Sequence, residues 1–462
     1  MRLNSVIVAV AIFLHILLIN TANADSSLYQ QWLVATYPAD GPGAAVIVVK
    51  DDNVLFRSAS GMADMELGVP LRPEHVFRIG SLTKQFTAAA VLLLQEQGRL
   101  DVSDNINKYL PEYPTHGHTI TIEHLLTHTS GIFNYTDIPG YFGGPVIRQD
   151  LTTEDVIALF SHLPMDFEPG EAHHYSNSGY TLLGAIIETV SGQTYTEFIR
   201  AEIFEPLGMV HSHHGGPQII PNRVHGYDGS PGDYRNASFL SMTHPHASGA
   251  LLSNVDDLAA WTTALFNGEL LPKKSVRKMT RDYKLNSGER IGYGYGFNVG
   301  SRFGERVVRH NGGIHGFAGS AMWLPDSHVY VAVLSNFQNR STSNLASRLA
   351  FHAADANYPR FEPFETDNET LTDYVGDYQI NENQSRRVIE EDGRLYTQRT
   401  GRGRSEIVAY ARDAFFYPGL FTHLKFDRDR TGRVVAMRMY HDGAKKAEIA
   451  RRVNEVVDPD GE

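Results

Sequence analysis

Strand-forming runs in this 462-residue chain lie far apart. Ala44 to Val49 is a continuous apolar run, and Asp51-Asp52-Asn53 turns it into a second strand, Val54 to Ser58. The next strand-like segments, Arg306 to Val308, Ser320 to Trp323 and Val329 to Leu334, come only after a long helical stretch. That stretch carries helix-period patterns at Ile122 to Leu126, Thr153 to Leu159, Thr181 to Thr189, Tyr195 to Ile203 and Val255 to Phe266, separated by loops rich in Gly, Pro, Asn and His. Further helices are expected at Ser26 to Thr36, Phe86 to Leu94 and Thr342 to Ala354. Strands at both ends with helices between them require one sheet assembled from both ends. Such a domain closes only when most of it has been made.

The chain exceeds the roughly 250 to 300 residues at which one core stops growing, so a second domain is expected. Tyr358 to Thr370, with Pro359 and Pro363 among charges, reads as a linker. Beyond it short β-rich pieces recur from Tyr374 to Tyr440, punctuated by Asp392-Gly393, Thr431-Gly432 and Asp442-Gly443. The predicted organisation is therefore a domain over residues 25–357, a linker over 358–370, and a small antiparallel barrel or sandwich over 371–455.

Residues 1–24 read as a secretory signal: Arg2 opens it, Val6 to Ile19 is apolar, and Ala22-Asn23-Ala24 is a small-residue cleavage site. The apolar run is short for a membrane span, so no stable span is expected after cleavage. There is no Cys, which removes disulfides, thiolate metal sites and a Cys nucleophile, and suits a bacterial periplasm or exterior. The formal net charge of −12, with no basic run to offset it, argues against a nucleic-acid partner.

Three short motifs carry the chemistry. In Ser81-Leu82-Thr83-Lys84 at the start of a buried helix, Lys84 lies one turn beyond Ser81 on the same face, so its amine can reach the hydroxyl. The helix N-terminus supplies positive potential where an oxyanion would form. Burial would lower the Lys84 pKa, leaving it either a neutral base or a cation that activates another. Tyr175-Ser176-Asn177 offers that other base in Tyr175 and a substrate-amide contact in Asn177. His310-Asn311-Gly312 follows a short strand, and Gly312-Gly313 lets backbone approach a ligand, the Gly313 amide completing an oxyanion hole with that of Ser81.

Together these motifs resemble those of the serine β-lactamase and penicillin-binding-protein superfamily, specifically its class C-like (peptidase family S12 type) serine hydrolases. Leu125 to Ile132, Pro206 to Met209, Ser248 to Ser253 and Tyr293 to Phe297 fit the same family. The resemblance implies an α/β (α+β) fold, an antiparallel sheet covered by helices beside an all-helical lobe, with the site between them. It implies Ser81 as the acylated nucleophile, Lys84 and Tyr175 as the proton-transfer pair, and Asn177, His310, Gly312 and Gly313 as substrate contacts. The C-terminal part resembles, more weakly, a lipocalin-like barrel, expected to cap the cleft or build a homo-oligomer.

One departure redirects the expected substrate. Where β-lactamases and transpeptidases have Lys-Thr-Gly, this chain has His310-Asn311-Gly312, and an unperturbed His is mostly neutral at pH 7. The expectation is an exported serine hydrolase of D-amino-acid peptides or small esters. The alternatives are a slow-turnover penicillin-binding sensor and a true β-lactamase or D-Ala-D-Ala carboxypeptidase. No cofactor or metal is expected: His124 and His128 have zinc-helix spacing but lack the Glu that would serve as base. His173, His174, His211, His213 and His214 read as solvated loop residues.

Overall fold

The computed structural model describes residues 25–366 and 368–453; the signal segment lies outside them. The described chain forms two compact units that divide between Asp355 and Ala356.

The first unit is built on a six-stranded antiparallel sheet. Its strands are β1 (Ala44–Lys50), β2 (Asn53–Ser60), β3 (Asn298–Arg302), β4 (Glu305–Ile314), β5 (Phe317–Leu324) and β6 (Val329–Ser335), in the order β3-β4-β5-β6-β1-β2. The two ends of the domain therefore meet at the β6 to β1 pair, with Ala44 opposite Ser335 and Lys50 opposite Val329. Both strands are near-continuous apolar runs because both of their faces are covered. Ala45, Ile47 and Val49 face the main core together with Ala332 and Leu334.

The helices that matter for the site are α1 (Thr83–Glu96), α2 (Asn177–Ser191), the one-turn α3 (His246–Gly249), α4 (Val255–Asn267) and α5 (Thr342–Ala353). Among them α1 is the central pillar. From Thr83 to Leu92 every residue is buried, and Phe86 packs on Trp261 with ring centres 4.2 Å apart. A helix buried on all sides belongs in the middle of a large core.

Two differences from the sequence-based expectation bear on the site. Strand β4 runs on through His310-Asn311-Gly312-Gly313 to Ile314, instead of ending before the motif. The ladder survives the two glycines because it pairs small with small, Gly312 with Gly319 and Gly313 with Ala318. Helix α2 begins at Asn177 rather than Thr181, because the Ser176 side chain caps it by accepting the Gly179 N–H. Among the described residues, no helix is long and apolar enough to cross a membrane.

The second unit is a closed antiparallel barrel of eight strands in simple sequential order, from Gly376–Asn381 to Glu448–Arg452, with Tyr378 opposite Arg452 at the seam. Tyr378, Val388, Leu395, Phe415, Phe426 and Met437 fill it. Closure leaves no sheet edge exposed.

Candidate active site

Ser81 sits in a single 3-10 turn, Gly80–Leu82, that leads directly into α1. The turn is pinned against the sheet by glycines. A β-carbon on Gly312 would lie 2.0 Å from the Ile79 carbonyl oxygen, and one on Gly80, where φ is +52°, would lie 2.9 Å from the Gly313 nitrogen. Only glycine permits both approaches. The Ser81 and Gly313 backbones thereby line one cavity of about 320 Å³. The Ser81 N–H belongs to the first residues of its turn, which have no carbonyl partner inside it.

Lys84 is fully buried, at 0% exposure. Its Nζ lies 2.8 Å from Asn177 Oδ1, 2.8 Å from the Ser248 carbonyl oxygen and 3.4 Å from Ser81 Oγ. The rings of Tyr175 and Tyr180 cover it at 4.7 and 5.3 Å. Among the described residues no carboxylate forms an ion pair with it, and burial holds its pKa well below the ordinary lysine value. A neutral amine has two N–H bonds and one lone pair. Asn177 and Ser248 can only accept, so they take both hydrogens, and the lone pair is left facing Ser81 Oγ.

Tyr175 is opposite in character. Its hydroxyl is buried and, among the described residues, in good hydrogen-bond geometry with none; burial pushes its pKa up, and the nearby Ser81 hydroxyl only partly opposes this. The phenol is thus held protonated beside the nucleophile. Asn177, the first residue of α2, is fixed on both sides: its N–H donates to Asn134 Oδ1 at 3.0 Å and its Nδ2 donates to Thr136 Oγ1 at 3.2 Å.

His310 does not line the cavity. Its side chain is buried, with the residue 4% exposed, while Gly313, Ile314 and His315 face the space on that side. Gly312 likewise packs on the Ser81 turn. His310 belongs to a hydrogen-bonded chain that the sequence did not disclose. The Ser176 N–H donates to His128 Nδ1 at 3.1 Å, which leaves the His128 proton on Nε2, 3.2 Å from Tyr293 Oη. Tyr293 Oη in turn lies 3.0 Å from His310 Nε2, and His310 Nδ1–H donates to the Asn311 carbonyl oxygen at 2.6 Å. A backbone donor at one end and a backbone acceptor at the other orient every proton between them. Burial and the nearby Lys84 lower both imidazoles, His310 to about 3, so both are neutral at physiological pH. The His128 ring also packs, tilted, with its centre 4.2 Å from that of Tyr175, joining the chain to the Tyr175 side of the site. In the sequence the cue to His128 is a zinc-helix spacing without the Glu base, and the cue to Tyr293 is its place in a family-like stretch.

His214 also departs from expectation. It lies on a short strand, His213–His214, paired with Leu251–Leu252 rather than in a solvated loop, and its Nε2 is buried.

A family model described as Beta-lactamase matches residues 33–355. Penicillin-binding protein 4* of Bacillus subtilis (strain 168) is 28% identical over 428 residues, which cover 87% of this chain and 94% of that protein. Among solved structures, the octameric penicillin-binding protein homologue from Pyrococcus abyssi aligns with a TM-score of 0.65 at 26% identity, covering 93% of this chain and 99% of the other. The D-stereospecific amidohydrolase from Streptomyces sp. aligns with a TM-score of 0.63 at 28% identity, covering 71% of this chain and 98% of the other.

Proposed function

The chain belongs to the Beta-lactamase family, and on that premise we propose that it cleaves amide bonds through an acyl-enzyme on Ser81, with neutral Lys84 as the base. The observation that carries this reading is the Lys84 nitrogen, whose two hydrogens are committed to Asn177 and Ser248 while its third direction meets Ser81 Oγ.

In the first step the Lys84 lone pair takes the Ser81 hydroxyl proton as Oγ attacks the substrate carbonyl carbon. The Ser81 and Gly313 N–H groups receive the developing oxyanion. The Tyr175 phenol donates its proton to the departing amine and regains one from the Lys84 ammonium, leaving an ester on Ser81 and a free amine. Water then attacks that ester, Lys84 accepting its proton and passing it to the departing Ser81 Oγ, which releases the acid and restores the neutral amine. Asn177 acts in this scheme by orienting Lys84.

Likeness to the Streptomyces D-stereospecific amidohydrolase supports an amide whose acyl residue has the D configuration, and small activated esters should also acylate Ser81. Export through residues 1–24 is part of the same proposal, tested by fractionation of cells expressing the full chain. Intact-protein mass spectrometry after treatment with a fluorophosphonate is the direct test of the site. A single adduct mapped to Ser81 is expected, with amide and ester hydrolysis abolished in Ser81→Ala. Full activity in Ser81→Ala would overturn the assignment.

A further inference from the structure

Resting on the hydrolase reading above, we propose that the acyl side of the substrate is aromatic and uncharged, with its amine blocked. The argument comes from what surrounds Ser81. Tyr135, Tyr141, Phe142, Leu240 and Phe317 make an aromatic and apolar face beside the neutral polar Thr136, Gln338 and Asn339, and no Asp, Glu, Lys or Arg is among the described residues lining the cavity.

Each titratable side chain that lines this space makes a hydrogen bond to the protein. His244 Nδ1 lies 2.6 Å from Tyr141 Oη, and its Nε2 lies 2.9 Å from the Gln149 carbonyl oxygen. That carbonyl can only accept, so His244 Nε2 carries a proton. The Tyr135 hydroxyl donates to the His244 carbonyl oxygen at 2.8 Å, and burial raises the pKa of Tyr135 and Tyr141. His315 Nδ1–H donates to the Ser238 carbonyl oxygen at 3.2 Å. Burial holds the pKa of Lys84, behind Ser81, well below the ordinary lysine value. The Arg78 guanidinium lies 5.8 Å from the Phe317 ring centre, but Arg78 is not one of the lining residues.

A substrate ammonium entering here gives up water and meets no carboxylate among the described lining residues, and a substrate carboxylate meets no Lys or Arg there. An ionised group moved into such a site without a partner is strongly disfavoured. A neutral aromatic group loses nothing comparable and buries apolar area on entry. The same wall therefore selects by charge as well as by size.

The test compares three p-nitroanilides that differ in charge: N-acetyl-D-phenylalanyl, D-phenylalanyl and N-succinyl-D-phenylalanyl. At about pH 6.5 the free α-amine is protonated, its pKa being about 7.7 to 8.0, and the acetylated compound should show at least about tenfold higher kcat/KM than either charged one. Raising the pH to about 9.5 should shrink the gap to the free amine, which has lost its charge, and leave the gap to the succinyl compound unchanged. Phe142, 47% exposed, gives the reverse test: Phe142→Asp should shift the ratio about tenfold towards the free amine at pH 6.5. Equal or better hydrolysis of the free amine at pH 6.5 by the wild type would overturn the inference. If Ser81 also fails to label with fluorophosphonate or to turn over p-nitrophenyl acetate, the hydrolase reading itself fails; if it does both, only the charge selectivity does.

Discussion

Asn177 Oδ1 lies 2.8 Å from Lys84 Nζ, and this contact joins the first residue of one helix to the second residue of another. It makes Asn177 a control on the charge of Lys84. Asn177→Asp puts a carboxylate at the same place and favours the ammonium. Activity near pH 7 should fall about a hundredfold, with the acid limb of kcat/KM displaced to higher pH. An unmoved acid limb would show that Asn177 does not set the Lys84 charge.

The wild-type pH profile follows from two opposite shifts. Lys84 must be neutral and its pKa is lowered, so kcat/KM rises as pH climbs through that lowered value. Tyr175 must stay protonated and its pKa is raised, so the alkaline fall belongs above the ordinary tyrosine value of about 10. His310, lowered to about 3, adds no step between. A profile that falls below about pH 9 would contradict the assignment of Tyr175 as proton donor.

The same burial acts on stability. Lys84 binds its proton in the unfolded chain at any pH below about 10.4 but loses it in the folded protein, so its burial lowers stability increasingly as pH falls from there towards the lowered value. Lys84→Met removes that dependence. Calorimetry across pH should find the melting temperature of the variant, relative to wild type, highest at low pH and declining as pH approaches about 10.

Tyr293→Phe deletes the hydroxyl that serves both His128 and His310. One buried donor and one buried acceptor are then left unpaired, at a cost of about 1 to 3 kcal/mol. The melting temperature should drop by several degrees, read by calorimetry. An unchanged value would mean that the chain of protons contributes nothing to stability.

Gly312→Ala and Gly313→Ala separate the two glycines. The first drives a methyl into the Ile79 carbonyl, whereas the second meets nothing within 4 Å. Gly312→Ala should displace the Ser81 turn, lowering both the melting temperature and kcat, the latter at least about tenfold. Gly313→Ala should leave the melting temperature unchanged, and comparison of the two variants by circular dichroism and kinetics decides the matter.

What could be read from the sequence was what local chemistry determines. A lysine one turn after a serine, at the head of an apolar helix, settles their relation without knowledge of the rest of the chain. The meeting of β1 with β6 followed from where apolar runs occur. Strand β3 escaped notice because Asn298 to Arg302 is an edge with an exposed face and no apolar run. His128, Tyr293 and His310 escaped as a unit because they come from three separate segments and meet only through packing. His310, read as a substrate contact, lies instead behind the cavity wall, since strand β4 presents Gly313 and Ile314 there. The Ser248 carbonyl could not be found by residue type at all, because every residue has one.

The turn bearing Ser81 is completed by a strand that the ribosome delivers long after it. Until β4 arrives and β6 closes on β1, Gly313 is not opposite Gly80 and the nucleophile has only half its surroundings. A partly synthesised chain therefore lacks the glycine-bearing strand that completes the Ser81 turn, and the site is assembled only when the last sheet strand is in place.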